Sequence, residues 1–201
     1  QDLGASIVSK IVNPSIDDNI IDFCGFPGGK TSHISALMNN TGKILVIDSS
    51  ENRKTKFTEN INRLGCNNIQ VIIQSATDDI DGILGVDKIL IDPPCSGLGV
   101  IKRKVEIKYR KSLDDIKRLA ELQYDILDNA SKYLKSNGRI VYSTCTISKI
   151  ENEDVITKFL DKHKDFKLEI IGYDNKDFEY LNLIPYIDKT DGFFITSLIK
   201  I

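Results

Sequence analysis

Short apolar runs alternate along the chain with longer stretches whose apolar residues recur every three or four positions. "NIIDFC" (19–24), "KILVID" (43–48), "IQVII" (69–73), "KILI" (88–91) and "RIVYS" (139–143) have the length and β-branched content of buried strands. Between them, "KTSHISALMNN" (30–40) places Ile34, Leu37 and Met38 on one helical face. The stretch 49–65 opens on Ser50 as an N-cap and stops at Gly65. The stretch 112–138 repeats Leu113, Ile116, Ala120, Leu127, Ala130 and Leu134 at helical spacing, and Asn137-Gly138 then turns the chain into the fifth strand. "ENEDVITKFLDKH" (151–163) is helical. "FKLEII" (166–171) and "GFFITSLIK" (192–200) are strands that could close the sheet as a hairpin, and 172–192 reads as a surface excursion. Strands alternating with helices predict βαβ units and a mostly parallel sheet, an α/β fold. Ligands in such folds bind beyond the carboxyl ends of the strands.

With 201 residues, the chain is long enough for one domain with its own core. Its 41% apolar and 28% charged residues and its net charge of −2 describe an ordinary soluble protein. No apolar run is long enough to span a membrane, and the start lacks the marks of a signal peptide, so a cytoplasmic protein is expected. The first residue is not Met, which fits a piece of a longer protein. The four cysteines form no C-x-x-C pair and are expected to stay reduced. Neither His33 nor His163 has a partner at ligand spacing, so no metal is expected.

Two loops carry the cofactor chemistry. "DFCGFPGGKTSH" is a glycine-rich turn from strand to helix. Gly25, Gly28 and Gly29 would let the backbone approach a ligand closely, and the helix start favours negative charge. The turn matches neither the dinucleotide fingerprint nor the phosphate loop. Asp48 ends the second strand, where an acid would hold ribose hydroxyls or merely cap the next helix. These features allow NAD or S-adenosylmethionine, and the missing pyrophosphate fingerprint favours the latter.

Two strand ends carry the substrate chemistry. In "DPPC" two prolines stiffen the loop that presents Asp92 and Cys95, either beside a planar base or simply as a rigid turn over a buried thiol. In "STCT" Cys145 lies just past a strand, where the hydroxyls of Ser143, Thr144 and Thr146 could donate to its thiolate. Two cysteines on adjacent strand ends would meet in one cleft and suit covalent chemistry on an electron-poor carbon. Residues 100–118 hold eight bases and three acids, a charge of +5 against −7 for the remainder. Lys102, Arg103, Lys104, Lys108 and Arg110 follow the Cys95 loop and suit a phosphate-binding surface for RNA.

Together, "DFCGFPGGKTSHI", "NRLG", "DKILIDPPCSGLGVIKRK", "EIKYR", "LQYDILDNASKYLK", "GRIVYSTCTI", "ENE", "TDGFF" and the initial "QD" closely resemble the Sun-type RNA cytosine-5 methyltransferases, above all the bacterial ribosomal small-subunit methyltransferase B kind. The resemblance runs nearly end to end. It implies a class I S-adenosylmethionine-dependent fold, Rossmann-like with seven strands, acting as a monomer on RNA, most naturally ribosomal RNA. It also implies that residues 1–201 are the catalytic domain, preceded in the family by an RNA-binding domain. By the same resemblance Cys24, Gly25, Phe26, Pro27, Gly28, Gly29 and Lys30 hold the cofactor, with Asp48 on its ribose and Asp92 between its reactive end and the base. Cys145 then corresponds to the nucleophile, Cys95 to the group assisting product release, and Lys30 to an orienting residue. The sequence departs from the family at Gly25-Phe26, where two alanines are usual, at Ser75, where an acid usually meets adenine, and at Val105-Glu106 and Tyr109, where Pro-Asp and Trp are usual. Methylation of an exocyclic amine and a non-catalytic role in ribosome assembly are the alternatives.

Overall fold

The computed structural model describes residues 2–201; Gln1, the first residue of the matched "QD", lies outside the described residues. The chain begins with a helix that the sequence pattern did not lead us to expect, α1 (Leu3–Val12). Asp2 caps it by accepting from the Gly4 amide at 2.9 Å, and Asn13 ends it in the left-handed conformation. The strands and helices β1 (Asn19–Phe23), α2 (Gly29–Leu37), β2 (Lys43–Asp48), α3 (Glu51–Arg63), β3 (Ile69–Ile73) and β4 (Val86–Ile91) then alternate as the pattern predicts. The short α4 (Ile107–Arg110) precedes α5 (Leu113–Ser131), β5 (Leu134–Thr144) and α6 (Glu153–Lys162). The tail holds β6 (Phe166–Glu169), β7 (Ile171–Tyr173), β8 (Lys176–Phe178), β9 (Tyr180–Leu183), α7 (Pro185–Asp188) and β10 (Phe193–Lys200).

The main sheet runs β3-β2-β1-β4-β5-β10-β6, with the five strands from β3 to β5 parallel and β10 antiparallel to both its neighbours. The order reverses at β1, between β2 and β4, which opens a crevice at the carboxyl ends of those strands. An eighth strand, β9, shares the outer edge of β10 with β6, so the expected seven strands are joined by one more. It comes from the stretch read as a surface excursion, and its alternate residues Leu181 and Leu183 are buried. β6 does pair with β10, but 23 residues separate them, occupied by the β7–β8 hairpin, β9 and α7, so they form no simple hairpin.

Alternation along the strands builds two cores. Ile21 and Phe23 of β1 and Ile89 and Ile91 of β4 face the layer containing Leu127 and Phe159. Ile20 and Leu90 face the opposite layer, with Val8 and Val12 of α1, Ile34 of α2 and Phe57 of α3. Helix α5 opens with a capping box between Ser112 and Asp115 and stops at Ser131, short of the Leu134 expected from its periodicity. The spacing misleads there because Tyr133 and Leu134 are buried as the entry to β5, where Leu134 pairs with Val86. Among the described residues no helix is long and apolar enough to cross a membrane.

Candidate functional site

The parallel strands β1, β4 and β5 deliver their following loops to one edge of the sheet. After β1, Cys24 adopts a positive φ of 64° and its amide donates to the Ile47 carbonyl, turning the chain sharply. Gly28, at φ 93°, is the N-cap of α2; a Cβ there would lie 2.8 Å from the Phe57 ring. Phe26 packs its ring against Phe57, 4.5 Å between ring centroids, and is buried in the core at the edge of the crevice. A cavity of about 130 Å³ is lined by Ala5, Asp22, Gly25, Phe26, Pro27, Gly29, Lys30 and Asp92.

Asp22, which nothing in the sequence singled out, is fully buried on β1. Its Oδ2 accepts from the Thr31 hydroxyl at 2.6 Å, while Oδ1 has no partner. Burial pushes its carboxyl up to about 7, against the influence of Thr31. Asp48 accepts from the amides of Phe26 (3.1 Å) and Ser50 (2.9 Å) and from the Arg53 guanidinium (3.1 Å). It thereby fixes the turn into α3, at whose N-cap the Ser50 side chain makes no capping bond. Burial, with Asp48, Asp92 and Asp22 close by, raises the Cys24 thiol far above the usual range, leaving an inert sulfur in the turn.

Across the crevice, Lys30 donates to Asp92 at 2.6 Å, and the Ser143 hydroxyl donates to the other Asp92 oxygen at 3.2 Å. Burial opposes the charge on Lys30, but Asp92 overcomes it and holds the ammonium above the usual lysine range. The Cys95 and Cys145 sulfurs lie 3.1 Å apart, both as free thiols. The thiol of Cys95, donated across this gap, holds Cys145 below the usual thiol range. Burial and Asp92 work against that shift, while Lys30 and Lys104 assist it. The same contact, followed by burial, pushes Cys95 well up. The contact thus favours negative charge on Cys145 over Cys95.

The hydroxyls flanking Cys145 do not serve its thiolate as the sequence suggested. Ser143 turns to Asp92, Thr144 donates to Asn152 at 2.6 Å, and Thr146 donates to the buried carboxylate of Glu151 at 3.2 Å. Each is instead taken up by an oxygen acceptor, Asp92, Asn152 or Glu151. Ser75 contacts the Thr77 hydroxyl at 2.7 Å, and Asp79 pairs with Lys132.

The basic run lies on the rim between the Cys95 loop and α5. Lys102, Lys104, Lys108 and Arg110 are exposed and have no ion-pair partner among the described residues. Tyr109 is 79% exposed, with the Lys108 ammonium 5.9 Å above its ring. Arg103 differs from its neighbours: it pairs with Asp2 at 2.6 Å and Asp191 at 3.1 Å, tying the start of α1 to the entry of β10. Behind this tie Gly99 and Gly192 meet backbone to backbone. The Gly99 amide donates to the Cys145 carbonyl at 3.0 Å, and the Gly192 amide to the Gly99 carbonyl at 2.8 Å.

The chain is similar to known proteins along its whole length. A family model described as 16S rRNA methyltransferase RsmB/F matches residues 9–199. A protein of Bacillus subtilis named "Probable ribosomal RNA small subunit methyltransferase B" is 36% identical over 214 residues, covering all of this chain and 47% of its own length. The tRNA (cytosine(72)-C(5))-methyltransferase of Pyrococcus horikoshii is 38% identical over 206 residues, covering all of this chain and 52% of that protein. The crystal structure of NSun6 from Pyrococcus horikoshii with SFG superposes with a TM-score of 0.88 at 38% identity, again over all of this chain and 52% of the other. The chain thus spans about half the length of the relatives it matches.

Proposed function

The chain belongs to the RsmB/F family of 16S rRNA methyltransferases, and on that premise we propose that it methylates carbon 5 of a cytosine in RNA, using S-adenosylmethionine, through a bond between Cys145 and carbon 6 of the base. The observation that carries this reading is the pair of sulfurs 3.1 Å apart at the ends of a crevice that also holds Lys30 and Asp92.

The residues of the glycine turn fit the cofactor. The unpartnered Asp22 oxygen suits an ammonium, the backbone of 25–29 leaves room for close approach, and Asp48 would take ribose hydroxyls in place of the half-exposed Arg53. When bound, S-adenosylmethionine supplies an electrophilic methyl group on its sulfonium. The chain's own task is to make carbon 5 nucleophilic. The Cys145 thiolate attacks carbon 6, and the electrons of the 5,6 double bond move to carbon 5 and into the ring. Asp92 accepts from the exocyclic amine, and the Lys30 ammonium offsets the added charge. After methylation, water in the crevice takes the carbon-5 proton, the double bond re-forms and Cys145 leaves as thiolate. The Cys95 thiol, its sulfur 3.1 Å from that of Cys145, assists by donating to the departing sulfur. The target must be unstacked to reach the crevice, and Lys102, Lys104, Lys108 and Arg110 hold the flanking phosphates.

Ribosomal RNA is the substrate favoured by the family description and the Bacillus relative. Transfer RNA is a second reading, supported by the 38% identical Pyrococcus relative. Labelled cofactor offered with each RNA separates the two. Cys145→Ala should abolish transfer while keeping cofactor binding, and Cys95→Ala should accumulate a protein–RNA adduct that survives a denaturing gel. Full activity in Cys145→Ala would overturn the covalent route.

A further inference from the structure

The two cysteines belong to loops separated by 50 residues, yet their sulfurs are in contact. Neither loop is held there by the sulfurs themselves. One fully buried carboxylate, Glu151, reaches both. Its Oε1 accepts from the Ser96 amide at 2.7 Å and from the Gln123 side chain at 3.1 Å. Its Oε2 accepts from the hydroxyls of Ser96 and Thr146. Ser96 follows Cys95 directly and Thr146 follows Cys145 directly. Gln123 also donates to the Pro94 carbonyl at 2.9 Å, so both neighbours of Cys95 are tied to the same carboxylate. The adjacent Asn152 completes the grip, accepting from Thr144 and donating to the Thr146 carbonyl at 3.0 Å.

We propose that Glu151 is a positioning residue that locks the Cys95 and Cys145 loops together and sets the spacing of their sulfurs. A buried carboxylate with four donors and no cation is costly unless every bond is made, so it holds its partners to one geometry. Such a clamp matters for chemistry because the Cys95 thiol can assist Cys145 only across a short, fixed gap. A shift of about 1 Å would forfeit that contact. This inference deepens the proposed cysteine mechanism, but its first test does not depend on RNA.

The test is the pH profile of iodoacetamide alkylation, read by mass spectrometry. Cleavage after Lys and Arg puts Cys24, Cys66, Cys95 and Cys145 in separate peptides, so Cys145 is followed alone. Glu151→Ala should move the Cys145 profile to higher pH, because the Cys95 donor is withdrawn. Glu151→Gln can still accept from the Ser96 amide and donate to the two hydroxyls, and should restore most of the wild-type profile. If Glu151→Ala fails to fold, Ser96→Ala and Thr146→Val each remove one strand of the clamp, and each should move the profile the same way by a smaller amount. With Cys95 in place, methyl transfer from labelled cofactor should fall with Glu151→Ala and recover with Glu151→Gln. An unchanged Cys145 profile in folded Glu151→Ala, or in both milder variants, would overturn the proposal. A shifted profile with no RNA adduct in any variant would uphold the clamp and sink the proposed reaction instead.

Discussion

Replacing Asp22 with Asn should make the protein more stable at neutral pH and weaken its hold on the cofactor. Asp22 has no exposed surface and, among the described residues, one hydrogen-bond partner, the Thr31 hydroxyl. Burial raises its carboxyl from 3.8 to about 7. The unfolded chain gives up this proton near pH 4, whereas the folded protein keeps it until about pH 7. Between those values the folded state binds more protons, so stability from this group falls as pH rises and levels off above about pH 7. At about 1.4 kcal/mol per pH unit, the difference amounts to about 4 kcal/mol. Asparagine closely matches the protonated acid: it offers Thr31 the same acceptor and leaves the same side without a partner. The two proteins should therefore be equally stable near pH 4, with the variant ahead by up to about 4 kcal/mol at about pH 8. Urea unfolding across this range measures the difference, and calorimetry with S-adenosylmethionine measures the cost in binding. Parallel stability profiles for the two proteins would refute the argument, since they would mean that Asp22 titrates alike in both states.

Three further outcomes are expected. In Gly99→Ala the new Cβ would collide with the Gly192 carbonyl oxygen and lie 2.8 Å from that of Cys145, so unfolding should show a loss of about 1–3 kcal/mol, with reduced adduct formation. Gly28→Ala places a Cβ against Phe57 at a φ of 93° and should lower both stability and cofactor affinity, checked by thermal melting and calorimetry. Lys104→Ala combined with Lys108→Ala should weaken RNA binding and lower the salt dependence of the affinity by about one unit of slope for each phosphate no longer held, whereas Arg103→Ala should change stability more than slope.

The parallel strands were legible because a strand buried on both faces is almost continuously apolar, and the order of such strands leaves few positions for a site. The glycine turn, Asp92, Cys95 and Cys145 all follow strands, and their sequence positions alone brought them to one edge. Helix α1 was readable in principle, since Ile7, Val8, Ile11 and Val12 recur at helical spacing between the caps Asp2 and Asn13. The overrun of α5 and the missed β9 share one cause. Periodicity reports burial, and Leu134 and Leu183 are buried by strands rather than by helices or loops. Asp22 and Glu151 were invisible for a different reason. A carboxylate in sequence is normally assigned to solvent, and only the packed structure reveals that Ser96, Gln123 and Thr146 converge on one of them while the other has an oxygen with no donor. Nor does sequence reveal that Arg103, amid cations free to meet phosphate, is already engaged.

The uneven charge of the chain has a kinetic consequence. Residues 100–118 carry +5 and the other residues together −7, so the molecule is an electric dipole whose positive pole is the rim of the crevice. A polyanion drifting near it is repelled from most directions and drawn in from one. Encounters are thereby sorted by orientation before any base is recognised, and the time spent bound the wrong way round is shortened. For the proposed RNA substrate, the acidic remainder of this chain contributes to binding by giving the exposed lysines and arginines of 100–118 their directional effect.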